Sequence, residues 1–214
     1  MRIGILGTGN MADALGAHWV RAGHEVTVGG RDEEKAARLA ARIGAAGHGS
    51  LRAAARAADA VLLALPHEAG EVVVAGLRGE LAGKVLVDCS NPVGAGFRLL
   101  TEGGPAAAGR LAAAAPDARV VKAFNLCHED VWRMTPPVFD GQPLAVPLCG
   151  DDERALDVVR ELVRDVGCAP VTAGGLDRAG LVEATAALVI GLWVGEGADA
   201  RAMLPPLAYA SGPA

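Results

Sequence analysis

Residues 7–12 read Gly7-Thr8-Gly9-Asn10-Met11-Ala12, a G-x-G-x-x-A spacing placed directly after the apolar run Ile3 to Leu6. Chemically, that spacing suits a pyrophosphate. Gly7 permits a tight turn off a strand, Gly9 lets the backbone approach a phosphate, and Ala12 keeps the following helix close to the strand. A helix opening at Asn10 would direct its N–H groups and its partial positive end, with Met11 in the first turn, at the same anion. The pattern alone is weak in a chain with 29 glycines. Its place between a strand-like run and a helix-like segment, with a second apolar run from Glu25 to Val28 at the right distance, gives it weight.

That second run ends Val28-Gly29-Gly30-Arg31-Asp32, where the adenosine ribose of a bound dinucleotide lies. An acidic residue directly at the strand end would bind the ribose 2′-hydroxyl and select NAD. Here Arg31 comes first, with Lys35 about one helical turn later. A guanidinium grips a 2′-phosphate through paired hydrogen bonds, and an ammonium adds a second positive charge. The residues therefore favour NADP(H). The plainer alternative is a pair of solvated charges at an exposed helix start, partly offset by Asp32.

Two more segments close apolar runs, Leu65-Pro66-His67 and Cys89-Ser90-Asn91-Pro92. Loops at the C-terminal ends of parallel strands line the ligand crevice, so both are expected beside the nicotinamide half. Pro66 equally suits simple helix initiation, and Ser90 and Asn91 could satisfy only their own turn. Farther on comes Lys122-Ala123-Phe124-Asn125. Ala123 is expected on the cofactor wall. Asn125 is the catalytic candidate, its amide orienting the nicotinamide carboxamide, with turn capping as the competing role. Lys122, His128, Glu129 and Asp130 are candidate proton donors if the hydride acceptor is a carbonyl or imine, which also needs a proton.

The elements that must position these residues follow a strand–helix alternation. Ile3 to Leu6, Glu25 to Val28, Ala60 to Leu65, Lys84 to Val87 and Arg119 to Lys122 read as buried strands. Between them, Asn10 to Ala22, Asp32 to Arg42, Leu51 to Ala57, His67 to Leu77 and Pro105 to Ala115 read as helices. A weak strand is expected within Gly44 to Gly49. This rhythm implies an α/β fold, a Rossmann-type doubly wound parallel sheet. After Asn125 the rhythm changes: prolines punctuate an irregular stretch, then an apolar run Leu144 to Cys149 precedes a helix to about Val166, with Asp151 as its expected N-cap. A short strand near Ala169 to Thr172 and a long helix from about Asp177 complete the chain. The boundary falls within 126 to 143, which divides the protein into an NADP-binding unit, 1–135, and a small C-terminal α/β unit, 136–214, that closes the cleft.

Composition narrows the class. Over 214 residues, 51% are hydrophobic and 21% charged, which excludes intrinsic disorder. A formal net charge of -5 argues against nucleic acid as a partner. The cysteines Cys89, Cys127, Cys149 and Cys168 form no C-x-x-C pair, so reduced buried thiols are expected, and Asp130 and Asp140 lack partners at metal spacing, so no metal is expected. Nothing resembles a signal peptide, and the longest uncharged apolar stretch, Ala184 to Gly195, is short for a bilayer span. A cytoplasmic location, away from membranes, is the expectation. The last helix carries Leu181, Ala184, Leu188, Leu192, Val189 and Trp193 and is apolar nearly all round, so it is expected to be buried, best between two subunits of a homodimer.

Together these segments resemble the coenzyme F420-dependent NADP oxidoreductase family. The resemblance runs through Met1-Arg2-Ile3, Gly7-Thr8-Gly9-Asn10, Gly23-His24-Glu25-Val26 and Gly30-Arg31-Asp32-Glu33-Glu34-Lys35-Ala36, and returns at Val146-Pro147-Leu148-Cys149-Gly150-Asp151-Asp152-Glu153 and Leu181-Val182-Glu183. It implies that Thr8, Arg31 and Lys35 meet the 2′-phosphate region, that hydride passes directly between nicotinamide and deazaflavin, and that the protein is a homo-oligomer. Two places depart from the family: a serine is replaced by Gly30, and where the family has a leucine-histidine-threonine-isoleucine-proline run the chain reads Ala123-Phe124-Asn125-Leu126-Cys127-His128. The Lys122-Ala123-Phe124-Asn125 form is more similar to NADP-binding reductases such as the cytosolic domain of membrane metalloreductases, which use flavin. Three functions follow in order: NADP(H):F420 oxidoreductase, NADPH-dependent reductase of a small imine, carbonyl or flavin, and non-catalytic NADP(H) sensor.

Overall fold

The apolar runs become strands because each is buried on both faces, which a parallel sheet requires. In the computed structural model, which describes residues 1–198 of the chain, β1 is Arg2–Leu6, β2 Glu25–Gly29, β3 Gly47–Gly49, β4 Ala60–Leu63, β5 Val85–Asp88 and β6 Arg119–Lys122. Helices α1 (Asn10–Arg21), α2 (Glu33–Ile43), α3 (Leu51–Ala57), α4 (His67–Gly76) and α6 (Ala107–Ala114) make the crossovers, with a short α5 (Arg78–Leu81) that the sequence did not announce. The expected fourth strand stops two residues early, freeing Ala64 and Leu65 to turn outward. Strand order through this half is β6-β5-β4-β1-β2-β3, the doubly wound order whose ligand crevice opens beside β1. Leu6 pairs with Gly29 on one side and Leu63 on the other, so the loops after β1, β2 and β4 emerge side by side.

Beyond β6 come α7 (Glu129–Arg133) and a hairpin, β7 (Val138–Phe139) and β8 (Gln142–Pro143). Its Asp140-Gly141 tip has φ of 51° and 75°, the left-handed pair that two-residue hairpins need. Then β9 (Ala145–Gly150), α8 (Glu153–Asp165) and β10 (Ala169–Gly174) follow, with α9 (Ala179–Ile190) last, running into a wider-wound turn at Gly191–Gly195. Strand β9 pairs antiparallel with β6, setting Lys122 opposite Cys149, and β10 pairs parallel with β9. Eight of the ten strands form one sheet, β10-β9-β6-β5-β4-β1-β2-β3, and β7-β8 stands apart. The C-terminal segment is thus an extension of that sheet, and the sheet does not break at the 135/136 division expected from sequence. Residues 199–214 of that expected unit lie outside the described residues.

Two expectations are corrected. Asp152, not Asp151, caps α8: its carboxylate accepts from Ala155 N at 2.8 Å, while Asp151 accepts from Leu176 N at 2.8 Å and fastens the turn before α9. The last helix is not buried all round. Leu181, Leu188, Trp193 and Val194 are exposed, whereas Val182, Glu183, Ala186 and Ala187 pack inward. Across 176–195 the chain is long and apolar enough to cross a membrane by length and composition, with a mean hydropathy of 1.4. Yet its Glu183 is fully buried in the protein.

Each sheet face has its own core. Ile3, Ile5, Val26, Val28 and Leu148 meet Trp19, Leu39, Val159 and Leu162 of α1, α2 and α8 on one side. Leu6, Val61, Leu63, Leu86 and Val120 meet Ala54, Val74, Leu111 and Val182 of α3, α4, α6 and α9 on the other. In the first core, Phe124 stands edge-on between Trp19 and Trp132, with ring centroids 6.1 and 5.5 Å apart. Such pairs add roughly 0.5–1.5 kcal/mol each beyond burial. They hold Phe124 at φ 59°, a conformation costing on the order of 1–3 kcal/mol. That left-handed residue turns the chain off β6 so that Asn125 points back under the sheet end.

Candidate active site

The glycine turn is built as its chemistry requires. Gly7 has φ +129°, and a Cβ there would lie 2.1 Å from the Ala64 carbonyl oxygen; only glycine lets the two loops touch. Gly9 caps α1 in an extended conformation, and a Cβ on it would meet nothing within 4 Å. The first N–H groups of α1 therefore open onto free space, where an anion can approach. Asn10 is less free than its position suggests: its side-chain amide donates to Glu129 Oε1 at 2.6 Å and ties α1 to α7.

Beside that turn lies a cavity of about 230 Å³ lined by Gly7, Thr8, Gly9, Arg31, Asp32 and Lys35, with Leu65 and Pro66 at its other wall. Asp32 does not compete for the cations through a tight pair. Its carboxylate accepts from Lys35 N at 3.1 Å as the α2 cap, and its other oxygen is 3.9 Å from the Lys35 ammonium. A Cβ on Gly30 would lie 3.0 Å from Asp32 O and 3.1 Å from Thr8 Cγ2, so a side chain there would be tightly held between the two loops.

The cavity continues into a second, of about 340 Å³, lined by Asn10, Met11, Leu65, Pro66, His67, Cys89, Ser90 and Asn91. Gly9, Ala64, Leu65 and Pro66 border both, so one trough runs from Arg31 to Asn91 across the ends of β2, β1, β4 and β5. Three expected residues are not on its walls. Pro92, Ala123 and Asn125 are buried behind it. Asn125 lies behind the wall, because the Phe124 turn folds it beneath Asn91. Its Nδ2 donates to Asn91 Oδ1 at 3.0 Å and to Val182 O at 3.3 Å, and Asn91 Nδ2 donates to Asn125 O at 2.7 Å. Its own Oδ1 is buried with no partner among the described residues, and it is Asn91 that faces the trough.

The proton-donor candidates also separate from the trough. Lys122 is fully buried, its ammonium 2.8 Å from Asp88, 2.5 Å from Ser90 O and 3.3 Å from Glu183. Burial alone would push it down, but Asp88 and then Glu183 outweigh that and hold it above the usual lysine value. It stays protonated and fully engaged. His128 is mostly exposed beside Glu129 and Asp130. Cys89 reaches the trough wall, but burial and then Asp88 push its thiol up to about 12, so it is no nucleophile near neutrality.

Sequence reasoning missed two flanking surfaces. A largely apolar depression of about 390 Å³ beside Arg31 is lined by Ser50, Leu51, Val72, Val73 and Leu77; it suits a flat base. Val72 is 76% exposed, and nothing in the local pattern of α4 marks it as part of a pocket. At the other end, a cavity of about 240 Å³ adjoins His67 and Ser90 and includes Glu68, Glu71 and Arg110. Its parts come from three distant segments, and no local pattern joins them.

With this geometry in view, the likeness to known proteins is specific. Residues 2–92 match the family described as NADP oxidoreductase, coenzyme F420-dependent. The F420-dependent NADP reductase of Methanothermobacter thermautotrophicus is 31% identical over 210 residues, 90% of this chain and 89% of that one. Metalloreductase STEAP3 of Rattus norvegicus is 30% identical over 90% of this chain but only 38% of its own length. A crystal structure from Arthrobacter sp. FB24, assigned as an F420-dependent NADP-reductase, shares the fold with a TM-score of 0.77 at 24% identity, covering 91% of this chain and 94% of that one.

Proposed function

The chain belongs to the coenzyme F420-dependent NADP oxidoreductase family, and we propose that the trough from Arg31 to Asn91 is where it binds NADP(H) for hydride exchange with coenzyme F420. The family makes it an NADP-dependent oxidoreductase, so the non-catalytic sensor is not retained. When both are bound, the nicotinamide and deazaflavin rings supply the hydride chemistry themselves. What the protein contributes is position, charge and exclusion of water.

Each part of the trough has a task. The open N–H groups above Gly9 and the start of α1 hold the pyrophosphate. Arg31 and Lys35 grip the 2′-phosphate with Thr8 beside them, and Leu51, Val72 and Val73 receive the adenine. Met11, Leu65, Pro66, His67, Ser90 and Asn91 flank the nicotinamide, and Asn125 acts from behind as a positioning residue for Asn91. The observation that carries this reading is the continuity of one trough between the Arg31/Lys35 cations and the Asn91 wall. Hydride passes directly between the two bound rings, and the proton that balances reduction of the deazaflavin can come from solvent, which agrees with Lys122 and His128 lying off the walls.

A second reading, NADPH-dependent reduction of a small imine, carbonyl or flavin, draws on the Lys122-Ala123-Phe124-Asn125 run and the metalloreductase likeness. Mixing purified protein with NADPH and oxidised F420 separates the two. Rapid bleaching of the deazaflavin supports the first, and NADPH binding without bleaching moves the assignment to the second.

The assembly is a homodimer formed through the apolar outer face of α9, where Leu181 and Leu188 would leave solvent. The segment from residue 136 is a small unit that helps close the trough over the second ligand. The enzyme works in the cytoplasm with small-molecule partners, and neither nucleic acid nor membrane takes part.

A further inference from the structure

Asp88, Lys122 and Glu183 are a fully buried ionic cluster that the hydride chemistry does not use. Every carboxylate oxygen in it accepts from an N–H donor. Asp88 Oδ1 takes Ser90 N at 2.9 Å and Oδ2 takes the Lys122 ammonium at 2.8 Å. Glu183 Oε2 takes Ala107 N at 2.9 Å, and Oε1 takes Ala108 N at 3.2 Å with Lys122 3.3 Å away. No oxygen faces an acceptor that would call for a proton, the pattern of two carboxylates around an ammonium. The formal net charge of the cluster is -1. The start of α6 offsets roughly half a charge of it through its first N–H dipoles, and the remainder stays negative.

This charge stands directly behind the trough. Asp88 is followed by Cys89, Ser90 and Asn91, all three on the trough wall, and Lys122 bonds the Ser90 carbonyl itself. Bulk water does not reach the cluster, so its field is screened far less than that of the exposed Glu68 and Glu71 nearby. The two forms of the dinucleotide differ by one positive charge, carried on the nicotinamide ring of NADP+ and absent from NADPH.

We propose that the Asp88–Lys122–Glu183 cluster sets the redox preference of the bound dinucleotide, its net negative charge favouring NADP+ over NADPH more than a neutral wall would. This rests on the nicotinamide lying against Ser90 and Asn91. A site that favours the oxidised ring makes bound NADPH a stronger hydride donor, which gives the buried acids a role beyond holding the loops.

The test is the ratio of dissociation constants for NADP+ and NADPH, measured by calorimetry on the full chain. Glu183→Gln and Asp88→Asn each leave Lys122 with one carboxylate, a balanced pair, so either serves if the other fails to fold. In each, NADP+ binding weakens relative to NADPH by on the order of tenfold. The double variant Lys122→Met/Asp88→Asn keeps a net charge of -1 and retains the wild-type ratio. Ratios within twofold of wild type in the single variants, with both forms weakened alike, would overturn the proposal and leave the cluster a purely packing role. Failure of the unmodified protein to bind either form would overturn the nucleotide reading itself.

Discussion

Asn91 and Asn125 exchange hydrogen bonds across the ends of β5 and β6, Asn125 Nδ2 donating to Asn91 Oδ1 at 3.0 Å and Asn91 Nδ2 to Asn125 O at 2.7 Å. The pair decides which asparagine meets a ligand. Asn91 stands on the wall, and Asn125 fixes its amide by occupying the acceptor oxygen and one donor hydrogen. Asn125→Ala removes a buried partner of Asn91 and of Val182 O, at a cost of about 1–3 kcal/mol. The expected result is a lower denaturant midpoint together with weaker NADPH binding. Unchanged affinity in the folded variant would mean that Asn91 needs no such support.

Arg31 shares the first cavity with Lys35 and the glycine turn. Arg31→Ala removes a charge-assisted contact worth about 1.5–3 kcal/mol, which predicts roughly a tenfold to hundredfold loss of NADPH affinity and little change for NADH. Equal losses for both nucleotides, read by fluorescence titration, would contradict the 2′-phosphate assignment.

The α9 face predicts an assembly. Leu181 and Leu188 are 58% and 55% exposed in the single chain, a large apolar display for an isolated protein. Light scattering should report a dimer for the wild type. Leu181→Asp with Leu188→Asp should give a folded monomer, because charges on that face cannot be desolvated without partners. A wild-type monomer at working concentration would contradict the interface.

His18 supplies a pH dependence. Burial, and then Arg21, hold its imidazole below the usual histidine value, with Nε2 donating to Trp132 O at 2.8 Å. The unfolded chain therefore takes up this proton at a higher pH than the folded one. Stability from this group is complete above the unfolded value near 6.5 and is lost as pH falls from there toward the lower folded value. Midpoints of denaturation measured between about pH 7 and 5 should fall less steeply in His18→Gln than in the wild type. Parallel slopes would assign the acid sensitivity elsewhere.

Much of this architecture is legible in local sequence. The glycine turn, Arg31 and Lys35 sit at fixed offsets from short apolar runs, and strand order follows from the alternation of elements. What was illegible is non-local. Strand β9 joins β6 antiparallel, a pairing that no residue near Val146 announces. Lys122 looks like an exposed strand-end cation until Glu183, on a distant helix, arrives opposite it. Asn125 is displaced from the wall by the left-handed turn at Phe124, a conformation enforced by Trp19 and Trp132 and written nowhere in its own neighbourhood. Asp151 and Asp152 are adjacent and chemically equal, and only the path of the chain decides which caps α8.

Hydride is expected to pass directly from one ring to the other, and isotope transfer tests this. Incubation of the enzyme with NADPH deuterated at the transferred position of nicotinamide C4, together with oxidised F420, should move the label to the ring carbon of the reduced deazaflavin without loss to water. Reduced F420 lacking deuterium, or NADPH bound with F420 left oxidised, would contradict direct transfer in this trough.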